Sequence, residues 1–522
     1  MNGRSRGSLI ILMCWLVAGC GHSFTPEATR TRDARPLASI YDFLVTVPGI
    51  SFPQFPAVGL TVDLTLEVDP ASIDASGFFE ASISINEVRA GGVVRPFTAA
   101  DPLPAAGRVA GAEWSVDSFG PIQVGTPAAG MTNVMLSLSG TLSPDGREIE
   151  GAAVVTSSGE TGTFFAVKQR RYLVAGTDFG VTGTASLVTV RFNTSIIVAR
   201  DLEAISGDPV ARATGGAVVV INRFFFDNVQ TLDPAADFQT ALQFSTGNGS
   251  NPHDVLAVDP NRFYVTRYEP PYNDLLIADR AGGQYLGFVD LSSYATNDSA
   301  TPRADGMALA ENLVFVGLQN IDSSFLEYGP GLVAVVDPGT DTVVRVIGMQ
   351  GRNPFGPPAV HPETGDLYYA MAGIFEGGLP RDLSGGIEVV DPRTLATQGL
   401  LVDDDDLGGN VSGVALALAG GATRGYCIVT TASGANVVRG FDPATGAVSP
   451  GTILSPGAFV PEVVSDGDGY LLVPVRDPSD PRLVVLDAAS GQVIASPSLS
   501  LPPFSVAVLT RGFLKGGASA AR

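Results

Sequence analysis

The sequence VVDPGTDTVV at residues 335–344 joins two apolar runs through a tight turn. Both runs are rich in Val, which favours β-strands, and Asp-Pro-Gly is typical of turns. An Asp at the end of a strand can accept hydrogen bonds from the backbone N–H groups of the hairpin that follows. The stretch therefore predicts a β-hairpin in which Asp337 forms the turn and has no catalytic role.

The same apolar run ending in Asp recurs along the second part of the chain. Successive aspartates are 46, 58, 54, 51 and 45 residues apart, and they are Asp233, Asp279, Asp337, Asp391, Asp442 and Asp487. Periods near this length are typical of β-propeller blades, in which each four-stranded sheet buries its faces only against its neighbours.

A second repeated element, usually Pro followed by an alternating strand, predicts the innermost strand of each blade. It begins at Pro209, Pro252, Pro302, Pro357, Val411, Pro461 and Pro503. The first six are each followed by a second strand, but the chain ends too soon after the seventh. Strands near 171–176, 186–192 and 195–199 can supply the rest, which predicts a seven-bladed ring closed by both ends of the domain.

These features resemble the YVTN-type β-propeller repeat. Phe263-Tyr264-Val265-Thr266 and residues 335–344 match it best, and a degenerate match covers about residues 171–511. The resemblance implies the propeller fold. It leaves the activity open, because related rings include scaffolds, surface proteins, lactonases and quinoprotein enzymes.

Apolar residues alternate in the segment before the propeller. They recur at every second position in three runs: Leu60 to Val68, Ala81 to Ile85, and Val134 to Leu138. This is the period of half-buried strands, and turn signals separate the runs. The pattern predicts an antiparallel β-barrel or sandwich, with an interior filled by side chains or, less commonly, by an apolar ligand.

The amino terminus has the layout of a secretory signal. Arg4 and Arg6 precede an apolar run too short to span a bilayer, which ends in Val17-Ala18-Gly19-Cys20. That ending resembles a bacterial lipobox and implies cleavage before Cys20 and its acylation, for example with palmitate. Gly21 favours the outer membrane of a Gram-negative cell envelope, facing either the periplasm or the outside. An ordinary secretory peptide is the alternative.

Together these features predict an all-β protein with five segments. They are a lipoprotein signal peptide (1–19), a tether (20–36), an antiparallel barrel or sandwich (37–169), a seven-bladed propeller (170–511) and a tail (512–522). After processing, Cys427 is the remaining cysteine outside the anchor. It lies in an apolar run, which indicates a buried core residue.

Composition narrows the classes of partner. The chain of 522 residues has a formal charge of -22, which disfavours nucleic acid because a negative surface repels phosphate backbones. The 62 Gly and 37 Pro suit an all-β protein with many turns. We find no phosphate-binding loop, nucleophile elbow or zinc motif, and this disfavours a nucleotide partner and the usual hydrolases.

Loop lengths predict which face of the propeller binds a partner. Connections between strands two and three, and from strand four to the next blade, are long, whereas the other turns are short. We call the two sides the long-loop face and the short-turn face. Long irregular loops usually hold binding residues, and their aromatic and charged side chains suit a protein or glycan partner. The candidates are Tyr268, Glu269, Tyr272, Phe325, Tyr328, Phe375 and Arg381.

A second candidate site lies at the mouth of the central channel. His253, Asp254, Asp305 and Glu462 are expected near the starts of inner strands, where they could hold Ca²⁺ or another divalent metal. Their spacing is not a metal signature, and ordered water or Arg303 could satisfy the same groups. No other cofactor is expected.

Two functions of different classes follow. The first is a membrane-anchored binding or scaffold lipoprotein that acts through the long-loop face. The second is a lactonase-like hydrolytic propeller with a metal at the channel mouth. The first is favoured because it needs no catalytic constellation, and adjacent residues such as His253 and Asp254 point to opposite sides of a strand.

Overall fold

The computed structural model describes residues 39–509, except 53–54, 70–71, 75, 101, 127–129, 144–145, 193–194, 296–300 and 377–378. These residues form two compact units, one of 39–171 with 189–197 and the other of 172–188 with 198–509. Among the residues described, no helix has the length and apolar character needed to cross a membrane. Cys20 and the signal-like segment lie outside the described residues.

The first unit contains a closed antiparallel β-barrel. Eight strands pair in the order β1-β2-β3-β6-β7-β8-β9-β10, and β10 pairs back with β1. Two short strands, β4 and β5, are added to β3 and β7. The strands are β1 (Ile40–Phe52), β2 (Phe55–Val68), β3 (Phe78–Ala90), β4 (Val93–Val94), β5 (Phe97–Thr98), β6 (Leu103–Ala110), β7 (Glu113–Thr126), β8 (Gly130–Leu142), β9 (Glu148–Val155) and β10 (Thr161–Lys168).

The barrel interior is packed with side chains. The alternating residues of β2, from Leu60 to Val68, are buried as their period predicts. The ring of Trp114 stacks against Phe43 and Phe79, with centroids 5.5 and 6.2 Å apart, and it also contacts Phe164. Of the two predicted alternatives, the structure therefore shows a barrel, and aromatic rings fill its core.

The second unit is a seven-bladed propeller. Blade 1 is β14 (Pro209–Thr214), β15 (Ala217–Asn222), β16 (Asn228–Asp233) and β17 (Gln239–Ser245), and blade 2 is β18 (Pro252–Ala257), β19 (Arg262–Arg267), β20 (Asp274–Asp279) and β21 (Tyr285–Asp290). Blade 3 is β22 (Ala304–Ala310), β23 (Leu313–Leu318), β24 (Leu332–Asp337) and β25 (Thr342–Gly348). Blade 4 is β26 (Ala359–Val360), β27 (Leu367–Met371), β30 (Gly386–Asp391) and β31 (Ala396–Asp403), and the hairpin of β28 (Phe375–Glu376) and β29 (Leu379–Pro380) lies between β27 and β30.

The remaining blades complete the ring. Blade 5 is β32 (Gly409–Ala419), β33 (Ala422–Thr431) and β34 (Asn436–Phe441), and isolated bridges to Val448 and Leu454 stand in place of a fourth strand. Blade 6 is β35 (Val464–Ser465), β36 (Tyr470–Val475), β37 (Arg482–Asp487) and β38 (Val493–Ala495). The described part of the propeller also contains 3-10 turns at Pro234–Ala236 and Ser292–Tyr294 and an α-helical turn, α1 (Asp404–Leu407).

Blade 7 is built from both ends of the domain. Its inner strand β39 (Pro503–Val508) pairs with β11 (Arg170–Thr177), followed by β12 (Thr182–Arg191) and β13 (Ser195–Ser206). This arrangement confirms the predicted closure. Closure in this way gives blade 7 an inner strand paired with its second strand, as in the other blades, without a covalent link between the two ends of the domain.

The aspartates at the ends of the third strands form the predicted turns. Asp337 Oδ1 accepts a hydrogen bond from Gly339 N at 2.8 Å, and Asp442 Oδ1 accepts one from Ala444 N at 2.8 Å. Asp233, Asp279, Asp391 and Asp487 make equivalent local bonds. These carboxylates therefore stabilise hairpins.

Burial follows the position of a strand within its blade. The second and third strands, such as β23 and β24, are buried on both faces between neighbouring blades, whereas the outer strand β25 is largely exposed. Cys427 in β33 is fully buried, and burial raises the pKa of its thiol to about 12. This confirms it as a core residue and not a reactive nucleophile.

Candidate functional site

The two faces of the propeller differ as the loop lengths predict. The chain takes 13 residues, 319–331, to connect β23 to β24 on the long-loop face, and the connection from β27 to β30 contains a hairpin of its own. On the short-turn face, β24 is joined to β25 by residues 338–341. The long-loop face therefore has the room and the variety of side chains that recognition needs.

A buried hydrogen-bonded network lies where blades 2, 3 and 4 meet at this face. His253 Nδ1 lies 2.7 Å from Asp305 Oδ1, and Asp305 Oδ2 accepts from Gln319 Nε2 at 2.7 Å. Tyr268 donates its hydroxyl to Gln319 Oε1 at 2.6 Å, and its ring stacks on the His253 ring with centroids 3.9 Å apart. All four side chains are buried, so the network is a fixed part of the fold.

A buried arginine covers this network. Arg303 forms an ion pair with Glu269, with Nη1 2.7 Å from Oε2, and its guanidinium lies 4.1 Å from the ring centroid of Phe325 and 4.8 Å from that of Tyr268. Three of the predicted recognition residues, Tyr268, Glu269 and Phe325, therefore hold Arg303. Tyr268 is only 1 % exposed. Its ring packs between His253 and Arg303, and its predicted role in binding stays a prediction.

The predicted metal site is not assembled. Asp254 binds Arg212, with Nε to Oδ1 at 2.7 Å, and its Oδ2 accepts from Met307 N of the next blade at 2.7 Å. Glu462 accepts from Val506 N in blade 7. Only His253 and Asp305 meet, and the described part of the chain holds no group of three or more His, Cys, Asp or Glu side chains arranged for a metal.

The acidic groups link neighbouring blades. Asp254 accepts from blade 3, Asp305 Oδ2 accepts from Gly356 N just before blade 4, and Glu462 accepts from blade 7. Ser505 Oγ accepts from Ala211 N at 2.6 Å and so joins blade 7 to blade 1. These side chains satisfy backbone donors that the curved ring leaves without a strand partner. We call them the inter-blade latches.

The His253–Asp305 pair has limited chemistry. Burial is the main influence on His253 and lowers its pKa, so the neutral imidazole is favoured. A hydrolytic site also needs a nucleophile or an activated water, and the contacts of this pair include the Tyr268 ring, Gln319 Nε2 and Gly356 N. The arrangement supports a structural role for the pair.

The other predicted binding residues are spread over the long-loop face. Tyr272 is half-buried beneath Arg267, whose guanidinium carbon lies 4.2 Å from its ring centroid. Tyr328 is also half-buried, and burial raises its pKa to about 12. Phe375 is buried against Phe355, whereas Arg381 is exposed. Of the seven predicted residues, Arg381 is therefore the most available to a partner.

The acidic run at residues 403–406 forms a structured turn. Asp403 caps α1 by accepting from Asp405 N, and Asp404 is fully buried and accepts from Gly385 N at 3.0 Å. Burial raises the pKa of Asp404 to about 7, and the neighbouring carboxylates of Asp403 and Asp405 contribute to the shift.

His361 lies on the short-turn face. Its ring nitrogen Nδ1 accepts hydrogen bonds from the backbone N–H groups of Glu363 and Thr364 and so stabilises the turn that contains them.

An open groove of about 280 Å³ lies between blades 1 and 2. Its lining includes Thr246, Arg267 and Tyr285. The Arg267 guanidinium is engaged by Asp274, with contacts of 2.6 and 2.7 Å. The groove is therefore bounded by a neutralised pair.

Sequence reasoning missed Arg212, Gln319 and Ser505, which complete the latches and the buried network. One signal was present: a polar acceptor follows within three residues of the proline in Pro252-His253-Asp254, Pro461-Glu462 and Pro503-Phe504-Ser505. That repetition marks a side chain that accepts a hydrogen bond from a backbone N–H of the neighbouring blade. Gln319 has no such signal, because its partners lie 14 and 51 residues away.

Comparisons with known proteins add the following. No protein-family model matches the chain, and no curated protein matches it. Among solved structures, hydrazine synthase of Kuenenia stuttgartiensis is similar at 13 % identity and a TM-score of 0.42, over 59 % of this chain and 88 % of that one. The dihydro-heme d1 dehydrogenase NirN in complex with DHE has 13 % identity and a TM-score of 0.38, over 96 % and 81 %. Apo AztD from Citrobacter koseri has 12 % identity and a TM-score of 0.34, over 70 % and 95 %. At these scores, no activity or ligand is transferred to this chain.

Proposed function

We propose that the protein is a lipid-anchored binding module of the bacterial cell envelope whose propeller engages a partner through the long-loop face. The observation that carries this proposal is the contrast between the faces. The long-loop face displays a separate hairpin, β28–β29, and long loops fixed by buried side chains. The short-turn face has compact turns closed by their own aspartates.

The chemistry at the channel mouth supports binding over hydrolysis. The carboxylates that a lactonase-like mechanism would use are engaged as inter-blade latches. A rigid frame with loops fixed in place lowers the conformational entropy lost when a partner binds. The hydrogen bonds that engage these carboxylates and fix the loops therefore favour binding of a partner over hydrolysis.

Cys20 supports the anchoring part of the proposal. Its lipobox-like sequence precedes a polar segment, and acylation with several chains would hold the protein at a membrane. The outer membrane is the proposed location. The test is fractionation of a Gram-negative host that expresses wild type or Cys20→Ser. We expect the wild type in the membrane fraction and the variant in the soluble fraction, and equal release of both would contradict the anchor.

The binding surface is tested by affinity capture from an envelope extract. We would compare wild type, a Leu379→Ser/Leu383→Ser variant of the long-loop face, and a Thr340→Ala/Thr445→Ala control on the short-turn face; all four residues are exposed. The first variant should lose the captured partners and the control should keep them. Loss of the same partners in the control alone would assign binding to the other face.

A further inference from the structure

The long-loop face displays apolar side chains that the fold does not cover. They lie in the connections between strands two and three of blades 7, 1, 3 and 4: Val181, Phe225, Phe226, Leu326, Leu379 and Leu383. Phe225 is 83 % exposed and Val181 is 80 % exposed. In the described turns of the short-turn face, no large hydrophobic residue is exposed. We call these six residues the apolar tips.

Hydrogen bonds of the residues on either side of Phe225 fix the conformation of its loop. Asp227 accepts from Gly249 N and Asn251 N, both at 2.8 Å, and Asn251 Oδ1 accepts from Phe224 N at 3.1 Å. Phe225 itself has a φ of 72°, a left-handed conformation that is unfavourable for a bulky residue. The surrounding hydrogen bonds maintain this conformation, so the exposed ring is part of a built loop.

Exposed carboxylates share the long-loop face with the apolar tips. Among the described residues of this face they include Asp178, Glu327, Asp403, Asp405 and Asp406, and also Asp480, whose Oδ2 lies 2.6 Å from Arg482 Nη1. In the described part of these loops, Arg381 is the one exposed cation. Two buried arginines are paired, Arg223 with Asp208 at 2.6 Å and Arg303 with Glu269 at 2.7 Å, whereas buried Arg476 donates to Pro502 O and lies over the Phe179 ring. The accessible charge on this face is therefore predominantly negative.

We propose that the long-loop face binds a protein segment that presents apolar side chains flanked by Lys or Arg. Exposed apolar tips supply hydrophobic contact, and the acidic residues around them select a basic partner and accelerate its approach. An anionic lipid surface is a poor match, because like charges repel. A second copy of this chain is also a poor match, because it has the same acidic face. This inference rests on the proposed function and adds the chemical class of the partner.

The test uses defined probes with the full chain. Three labelled amphipathic peptides of equal length would carry Leu with Lys, Leu with Glu, or Ser with Lys, and binding would be followed by fluorescence anisotropy. We expect the Leu–Lys peptide to bind at least ~10-fold more tightly than either of the others, because it alone offers both apolar contact and positive charge. Its affinity should fall as salt is raised.

A matched pair of variants locates the site. Val181→Ser/Phe225→Ser should weaken binding of the Leu–Lys peptide by ~10-fold, because these tips supply the apolar contact. The control Tyr285→Ser/Phe288→Ser removes exposed apolar residues from the outer strand of blade 2, 61 % and 53 % exposed, and should leave binding unchanged. Equal weakening in both variants would show non-specific hydrophobic binding and overturn the proposal.

Three further outcomes distinguish failure of this inference from failure of the proposed function. If the Leu–Glu peptide binds as tightly as Leu–Lys and still depends on Phe225, the face stands but the basic class of partner is wrong. If the protein sediments with phosphatidylcholine vesicles, this binding requires Phe225, and none of the peptides binds, then the face binds lipid and not a protein segment. If binding is lost only when Thr340 and Thr445 are changed, the long-loop face is not the binding surface and the proposed function fails as well.

Discussion

Turns on the short-turn face are closed by local hydrogen bonds, whereas loops on the long-loop face are held by residues far apart in sequence. Asp337 bonds to Gly339, two positions away, while His253 reaches Asp305 over 52 residues and Tyr268 reaches Gln319 over 51. The short turns also receive bonds from neighbouring blades, as Asp341 does from Arg262 Nη1 at 2.8 Å, but each hairpin is closed by its own aspartate. Long-range bonds couple the long loops to the closure of the ring, so damage on this face should spread further.

The largest effect is expected from opening the ring. A chain that ends at Pro502 lacks β39 and leaves β11 without its inner partner. The propeller should then lose its cooperative thermal transition, because blade 7 no longer buries its faces. Adding a synthetic peptide of residues 503–509 should restore part of the transition. Unchanged melting of the truncated chain would show that closure is not needed.

A smaller loss is expected from one inter-blade latch. Asp305→Ala removes the acceptor for Gly356 N and Gln319 Nε2 and the partner of His253 Nδ1. Leaving such buried donors unsatisfied should cost about 3 kcal/mol in the free energy of unfolding, measured by urea denaturation. Asp305→Asn keeps one acceptor oxygen and should lose less. If both variants match wild type, the latches do not stabilise the ring.

A pH-dependent effect is expected at Asp404. Burial raises its pKa to about 7 from an ordinary value of 3.8, so in the range between them the folded state holds the proton more tightly than the unfolded state. Stability should therefore fall as the pH rises through this range. Asp404→Asn removes the titration, and its stability relative to wild type should increase by on the order of 1–2 kcal/mol from about pH 5 to about pH 8.

Asp406→Asn is the matched control for that titration, because Asp406 is exposed in the same short helix. We expect Asp404→Asn to depend more strongly on pH than this control does. If the two variants have the same pH profile, the buried carboxyl of Asp404 does not titrate in the folded protein near neutral pH.

The smallest effect is expected on the short-turn face. Asp337→Ala removes the side-chain bonds to Gly339 N and Thr340 and leaves the turn open to water, which can replace them. The loss of unfolding free energy should be about 1 kcal/mol or less. A loss as large as that of Asp305→Ala would contradict the difference between the two faces.

The same difference explains what the sequence could predict. The hairpin aspartates, the alternating strands and the closing strands can be recognised from the spacing of residues along the sequence. The predictions for Asp337, Cys427 and the pairing of β11 with β39 are confirmed. The roles of Tyr268 and Asp254 depend on residues of neighbouring blades. Their burial could not be deduced from loop length, and the exposed ring of Phe225 lies in a loop too short to attract notice.

The measurement that tests the central claim most directly is site-specific photo-crosslinking in living cells. A photoreactive amino acid would replace Phe225 on the long-loop face or Thr340 on the short-turn face, both exposed. We expect a discrete partner adduct from position 225 and none from position 340. An adduct from position 340 alone would place the binding surface on the short-turn face and contradict the account.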